Sequence, residues 1–130
     1  PGFLLPDLYD QIRAVKGSNS SLAVGNLKTK RDYTDVRDVV RAYRLLATTD
    51  SLENTVYNIC SGKSVSGETI LHLVQELTNT TDMTIEIDQS KIRPNDSLDV
   101  VGDNSRLRDD TDWKPEMALE DTVQDFINSK

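Results

Sequence analysis

Histidine and cysteine, the side chains that most often ligate metals or act as nucleophiles, occur once each in this chain, as His72 and Cys60. One thiol closes no intrachain disulfide, and one thiol with one imidazole leaves a zinc ligand set incomplete, so neither a disulfide framework nor a metal site is expected. A reducing, cytoplasmic setting fits that cysteine usage. Aromatic residues are only 5% of the sequence, which leaves the core to aliphatic side chains. Apolar runs stop after a few residues, as at Phe3-Leu4-Leu5. That is far below the roughly 20 needed to cross a bilayer, so no membrane partner is expected. A basic stripe is missing as well. The net charge is -7, and the acid is concentrated from residue 49 onward, where seven Lys and Arg face seventeen Asp and Glu. Nucleic-acid affinity rests largely on phosphate neutralisation, so no nucleic-acid partner is expected. A few well-placed arginines still suffice for a small anionic ligand.

What is present is a chain of 130 residues, the size of one domain that buries roughly two thirds of its unfolded surface. We read residues 1–130 as a single domain. Its start, Pro1-Gly2-Phe3, has neither an initiator Met nor the order of a signal peptide, and reads as a cut inside a longer chain. Leu8, Ile12 and Val15 recur at helical spacing between Pro6 and Gly17, which predicts a helix over 6–16 and a turn over 17–20. Leu22-Ala23-Val24 predicts a strand that enters a basic loop, Leu27 to Asp32. Thr34 or Asp35 caps a helix whose apolar face is Val36, Val39, Val40, Tyr43 and Leu46, with Asp38 favouring its positive end. Thr55 to Ile59 is β-branched and aromatic and predicts a strand. A second helix follows Ser66, with Ile70, Leu71, Leu73, Val74 and Leu77 as its apolar residues. Thr84 to Ile87 alternates as a half-buried strand does, Ile92 to Asp96 is a loop, and Asp99 to Val101 is a short extended piece. A short helix from Ser105 and a last one carrying Leu119, Val123, Phe126 and Ile127 complete an alternation that argues for an α/β fold.

Signals for chemistry are sparse. Gly62 to Thr69 copies the glycine spacing of a phosphate-binding loop, but Glu68 stands where that loop needs lysine and would repel a phosphate. A capped helix start is the simpler account. His72 lies among apolar helix neighbours and reads as a structural or surface residue, and Cys60 reads as a small buried hydrophobe. The carboxylates of Asp109-Asp110-Thr111-Asp112 lack the spacing and glycine of a calcium loop and read as a solvated acidic turn. Arg31 and Arg93 stand apart, each in a short polar segment beside predicted secondary structure. A guanidinium fork matches phosphate oxygens, so the pair either shares an anion or consists of two surface arginines.

The run Arg31-Asp32-Tyr33-Thr34-Asp35-Val36-Arg37-Asp38 and the helix after it resemble a segment of extended short-chain dehydrogenase/reductases, the NAD-dependent epimerase/dehydratase family that acts on nucleotide sugars. Further matches follow in the family's order: Val56 to Gly62, Ser66 to Leu73, Arg93-Pro94-Asn95-Asp96, Gly102 to Leu107, and Trp113-Lys114-Pro115 with Leu119 to Thr122. Val24-Gly25-Asn26-Leu27 ahead of Lys30-Arg31-Asp32 narrows the resemblance to the GDP-mannose 4,6-dehydratase and GDP-4-keto-6-deoxymannose reductase branch. Tyr33-Thr34-Asp35 is similar to the reductases, where the dehydratases typically carry Trp-Gly-His.

In such enzymes a Rossmann half holds NAD or NADP on a glycine-rich turn, and a Tyr-x-x-x-Lys pair handles the proton. Here Tyr9, Tyr33, Tyr43 and Tyr57 are followed four residues on by Arg13, Arg37, Ala47 and Ser61, and the six glycines form no dinucleotide fingerprint. The resemblance therefore implies the C-terminal, sugar-nucleotide-binding part of an NAD(P)-dependent enzyme, with a small mixed sheet and four to five helices. It implies no catalytic, cofactor or metal residue in this chain and no activity alone. Arg31 and Arg93 would hold the substrate diphosphate, Asp96 would accept a ribose hydroxyl, and Asn26, with backbone near Gly25, would lie toward the base. A structural ion pair between Asp96 and Arg93 is the plain alternative. Removing a Rossmann sheet would expose faces of the helix after Asp35 and of residues 55–59, and a homodimer through that surface is the expected self-association. A free-standing, non-catalytic interaction or regulatory module that keeps the fold is the competing account.

Overall fold

Pro6 stands inside the first turn of helix α1 (Leu4–Val15), where a residue without an N–H breaks no intrahelical bond. The helix thus opens two residues before the predicted start. The computed structural model describes residues 3–18 and 21–130. Gly17, at φ +82°, turns the chain after α1. The rest of that predicted turn, Asn19 and Ser20, lies outside the described residues, as do Pro1 and Gly2.

The remaining elements are β1 (Leu22–Val24), β2 (Lys30–Asp32), α2 (Val36–Thr48), β3 (Ser64–Ser66), α3 (Gly67–Thr78), β4 (Ile85–Ile87), a 3-10 turn (Gln89–Lys91), β5 (Asp99–Val100), α4 (Ser105–Thr111) and α5 (Leu119–Asn128). The architecture is mixed α/β, with five α-helices and two small sheets among the described residues. In one sheet β1 pairs parallel with β4, Val24 opposite Ile87. In the other, β2 lies between an antiparallel β3 and a parallel β5, and Arg31 faces Val65 on one side and Val100 on the other.

The main core joins Leu8 and Ile12 of α1, Leu22 and Val24 of β1, Ile70, Leu71 and Val74 of α3, and Val123 of α5. A smaller core of Ala42, Leu107 and Trp113 seals α2 to α4. The Trp113 indole N–H donates to the Asp38 carbonyl at 3.0 Å, so this large ring is buried without a stranded donor.

Four expectations from the sequence are corrected. The basic stretch expected to loop through Asp32 forms the middle strand of a sheet from Lys30, because β3 and β5 supply ladder partners that local propensity does not reveal. Thr55 to Ile59 is not a strand; no strand pairs with it, and side chains hold it instead. The Tyr57 hydroxyl donates to the Asn54 carbonyl at 2.7 Å, and the Asn104 amide donates to the Cys60 carbonyl at 2.8 Å. The strand of Ile85–Ile87 is exposed at all three positions rather than half-buried; it is an edge strand, paired with β1 alone among the described residues. Helix α2 buries only part of its apolar stripe: Val39 and Leu46 are half-buried, Leu46 against the smaller core, but Val36, Val40 and Tyr43 are 58–69% exposed, while Asp38 and Ala42 face inward.

This assignment of core and surface is testable by urea unfolding. Ile70→Ala should cost about 3 kcal/mol, the usual toll of a cavity at a buried aliphatic site, whereas Val40→Ala should change stability by less than about 0.5 kcal/mol. Equal losses at the two positions would contradict it.

Candidate functional site

Parallel strands release their following loops at the same end of a sheet. Because β1 and β4 are parallel and end in register at Val24 and Ile87, residues 25–29 and the segment from Asp88 onward emerge side by side. The expected site residues Gly25 and Asn26 are on the first loop, and Arg93 and Asp96 are on the second. Gly25 is needed for this approach: a Cβ there would sit 2.9 Å from the Lys91 carbonyl oxygen and force the loops apart. The Lys91 ammonium straps the junction by donating to the Ala23 carbonyl at 2.8 Å and to Gln11 Oε1 at 3.1 Å. Asn26 shapes its own loop, its side-chain oxygen accepting the Lys28 N–H at 3.1 Å and its carbonyl accepting the Thr29 hydroxyl at 3.2 Å.

Arg31 reaches the second loop from β2. Its Nη1 donates to the Lys30 carbonyl at 2.6 Å and to the Ser97 carbonyl at 2.8 Å, and its Nη2 forms an ion pair with Asp96. The ion-pair partner of Asp96 is therefore Arg31, not Arg93. A guanidinium has five N–H donors, so two remain on Arg31. Arg93, three residues before Asp96, is exposed and has no hydrogen-bonding or charged partner among the described residues. Tyr33 stands close enough for the Arg31 charge to act on it, although burial outweighs that charge and pushes its phenol up. The open cavities of about 1030 and 580 Å³ flank Lys63 and Pro115 and are lined by none of the five expected residues.

Three carboxylates behind the site were invisible as a set in the sequence. Asp32, at the end of β2, accepts the Ser61 N–H at 2.8 Å, the Ser61 hydroxyl at 2.6 Å, the Gly62 N–H at 2.9 Å and the Gly102 N–H at 3.2 Å. Burial acts to raise this carboxyl, yet those bonds hold it below its ordinary value. Asp35 caps α2 through the Arg37 N–H at 2.8 Å and accepts the Thr122 hydroxyl of α5 at 2.7 Å. The Arg37 guanidinium, donating at 2.7 and 2.9 Å, depresses its carboxyl far below the usual range against a smaller cost of burial. Asp38, 2% exposed, accepts the N–H groups of Glu116 and Met117, both at 3.1 Å, and the Arg41 guanidinium at 2.5 Å. Their spacing, every third residue from 32 to 38, is the only sequence signal that could have found them. Asp110 is a fourth such acceptor, taking the Glu53 N–H at 2.9 Å, the Asn54 N–H at 3.1 Å and the Tyr57 hydroxyl, so the expected solvated acidic turn at 109–112 is instead the end of α4, with Asp112 just past it.

The other sequence signals settle simply. Gly62 to Thr69 is no phosphate loop, because β3 occupies Ser64–Ser66 and Ser66 caps α3 by accepting the Thr69 N–H at 3.1 Å. His72 is exposed. Cys60 is half-buried against Gly102, where a Cβ would fall 2.7 Å from that of Cys60, and burial followed by the Asp32 charge pushes its thiol up. A thiol so raised is a poor nucleophile. No helix among the described residues is long and apolar enough to cross a membrane.

With this geometry in hand, comparison with known proteins is informative. The family model for GDP-mannose 4,6 dehydratase matches residues 5–126. GDP-6-deoxy-D-mannose reductase of Pseudomonas aeruginosa is 34% identical over 110 residues, which are 82% of this chain and 34% of the reductase. The structure of RMD from Pseudomonas aeruginosa complexed with NADPH is 30% identical with a TM-score of 0.73, over 97% of this chain and 41% of that one. UDP-glucose 4-epimerase of Thermotoga maritima, solved with UDP-glucose, shares the fold at a TM-score of 0.77 and 20% identity, over 98% of this chain and 40% of that one. The chain thus spans about a third of the length of the curated reductase.

Asp35 makes the scaffold sensitive to acid. Its folded carboxyl lies below the ordinary value of 3.8, so its contribution is fully present above that pH and is lost as pH falls through 3.8 and further toward the depressed value. Asp35→Asn keeps the helix cap but gives up the charge facing Arg37. The variant should lose about 2 kcal/mol at pH 7 and show a flatter loss of stability between pH 5 and pH 2 than the parent, as read by urea unfolding across that range. Parallel pH profiles would refute this role.

Proposed function

The chain belongs to the GDP-mannose 4,6-dehydratase family, and from that premise we propose that it is the substrate-binding portion of an NAD(P)-dependent enzyme acting on a GDP-linked 4-keto-6-deoxymannose or a similar nucleotide sugar. A reductase is favoured over a dehydratase by Tyr33-Thr34-Asp35 and by the likeness to the Pseudomonas aeruginosa reductase. The observation that carries the proposal is the convergence of loops 25–29 and 88–98, with Arg31 tied to the second loop through Asp96 and Ser97. In this arrangement the two spare N–H donors of Arg31 and the whole fork of Arg93 take the diphosphate. The second carboxylate oxygen of Asp96 takes a ribose hydroxyl, and the Gly25-Asn26 loop lies toward the base. Charge-assisted hydrogen bonds of about 1.5–3 kcal/mol each are enough to hold such a dianion on an acidic protein.

The described residues do not fit a dinucleotide. The positive-φ glycines Gly17 and Gly62 sit singly in turns, and β3 fills the one glycine-spaced stretch between a coil and a helix. We therefore assign the nicotinamide cofactor, and with it the hydride and proton transfer, to the remainder of a longer protein. This chain's share is to bind and orient the nucleotide end, so that the sugar is presented in one pose to the reacting groups. The exposed stripe Val36, Val40 and Tyr43 on α2 is the surface through which a homodimer would form.

Calorimetric titration of GDP into the full-length protein tests the site. An Arg31→Ala, Arg93→Ala double variant should bind at least about 100-fold more weakly, the effect of losing two charged hydrogen-bonding groups. Affinity equal to that of the parent would rule the site out.

A further inference from the structure

Asp96 pairs with Arg31 through Oδ1, a contact made within the protein itself. We propose that Asp96 is a positioning residue for Arg31, fixing the guanidinium for a diphosphate independently of any ribose contact. The inference rests on the anion-binding role given to Arg31 above. An arginine side chain gives up about 2 kcal/mol of rotamer freedom when ordered, and a ligand that must order it loses that much affinity. Here the ordering is done by the protein. Three acceptors, the carbonyls of Lys30 and Ser97 and the Asp96 carboxylate, hold the fork from two different segments of the chain. Both Nη1 hydrogens are engaged, so the donors left over are Nε–H and one Nη2–H, held in place for a phosphate oxygen. Asp96 spends Oδ1 on Arg31, and its Oδ2 accepts from no described group. The two oxygens thus divide two tasks, one toward Arg31 and one toward a hydroxyl.

Inorganic pyrophosphate separates these tasks because it has no ribose. Removing a negative charge beside an anion site favours the anion by Coulomb's law, so weaker pyrophosphate binding after Asp96→Asn can come only from a misplaced Arg31. Titrated into the full-length protein, Asp96→Asn should weaken pyrophosphate about tenfold, the effect of one charged hydrogen bond. Asp96→Glu, which keeps the charge, should recover most of the loss. Pyrophosphate binding to Asp96→Asn as tight as to the parent, with only GDP weakened, would leave Asp96 a ribose contact and overturn the proposal. So would a parent protein that binds GDP but no pyrophosphate. If the Arg31→Ala, Arg93→Ala double variant binds GDP unchanged, it is the anion site itself that fails.

Discussion

Asp32, Asp35 and Asp38 each accept hydrogen bonds from a different remote part of the chain: Ser61, Gly62 and Gly102 for the first, Thr122 for the second, Glu116 and Met117 for the third. A charged oxygen facing several N–H groups binds more strongly than a neutral carbonyl, and inward-facing backbone N–H groups with no ladder or helix partner must find some acceptor. Residues 61–62, 102 and 116–117 lie outside every helix and strand. Asp32 and Asp38 do for them what a sheet does elsewhere, and Asp35 ties the start of α2 to α5 through the Thr122 hydroxyl. This constraint also explains the rotation of α2. Turning Val36, Val40 and Tyr43 inward would swing Asp38 away from the groups it satisfies and strand the Trp113 indole, which donates to the Asp38 carbonyl.

The same anchoring sets the position of β2. Asp32 pins the end of that strand to residues 61–62, just ahead of β3, and to residue 102, just after β5. Once both neighbours are delivered, Lys-Arg-Asp becomes a strand despite poor intrinsic preference. Arg31 then sits one residue before the Asp32 anchor, on the middle strand of its sheet, with its side chain reaching the loop that begins at β4. The candidate site is therefore a by-product of the carboxylate scaffold: a rigid strand holds the arginine, and the second sheet brings the loop to it.

Helices with strong periodicity, such as α3, capped by Ser66, and α5 with Leu119, Val123 and Phe126, were legible in the sequence because they bury the stripe that the pattern describes. Helix α2 was legible as a helix but not in its orientation, since a buried carboxylate with remote donors leaves no periodic trace. Thr55 to Ile59 has strand-like composition and no partner, so composition misled there. Ser64–Ser66 has little strand-like composition yet pairs with β2, so composition was silent. Arg31, Arg93, Asp96, Gly25 and Asn26 were singled out by family resemblance, and the structure sets the loop of Gly25 and Asn26 beside the loop of Arg93 and Asp96. The direction of the Asp96 ion pair was not, because it depends on which strand lies beside the 92–97 loop.

Net charge makes a final point about how such a site works. The chain carries -7, yet charges farther than about 8–10 Å apart are largely screened at physiological salt, so what an anion meets near Arg31 and Arg93 is local. Several of the acids are also committed elsewhere: Asp32, Asp35, Asp38 and Asp110 direct their oxygens at N–H and O–H donors within the fold. Asp96 is the exception, a carboxylate within the proposed site, paired with Arg31. Its cost to an incoming anion is offset by what it does to Arg31, which without an acceptor would sample many rotamers over an open surface. An acidic protein can therefore keep an anion site exposed, provided that the acid nearest the site is bound to the base that serves it.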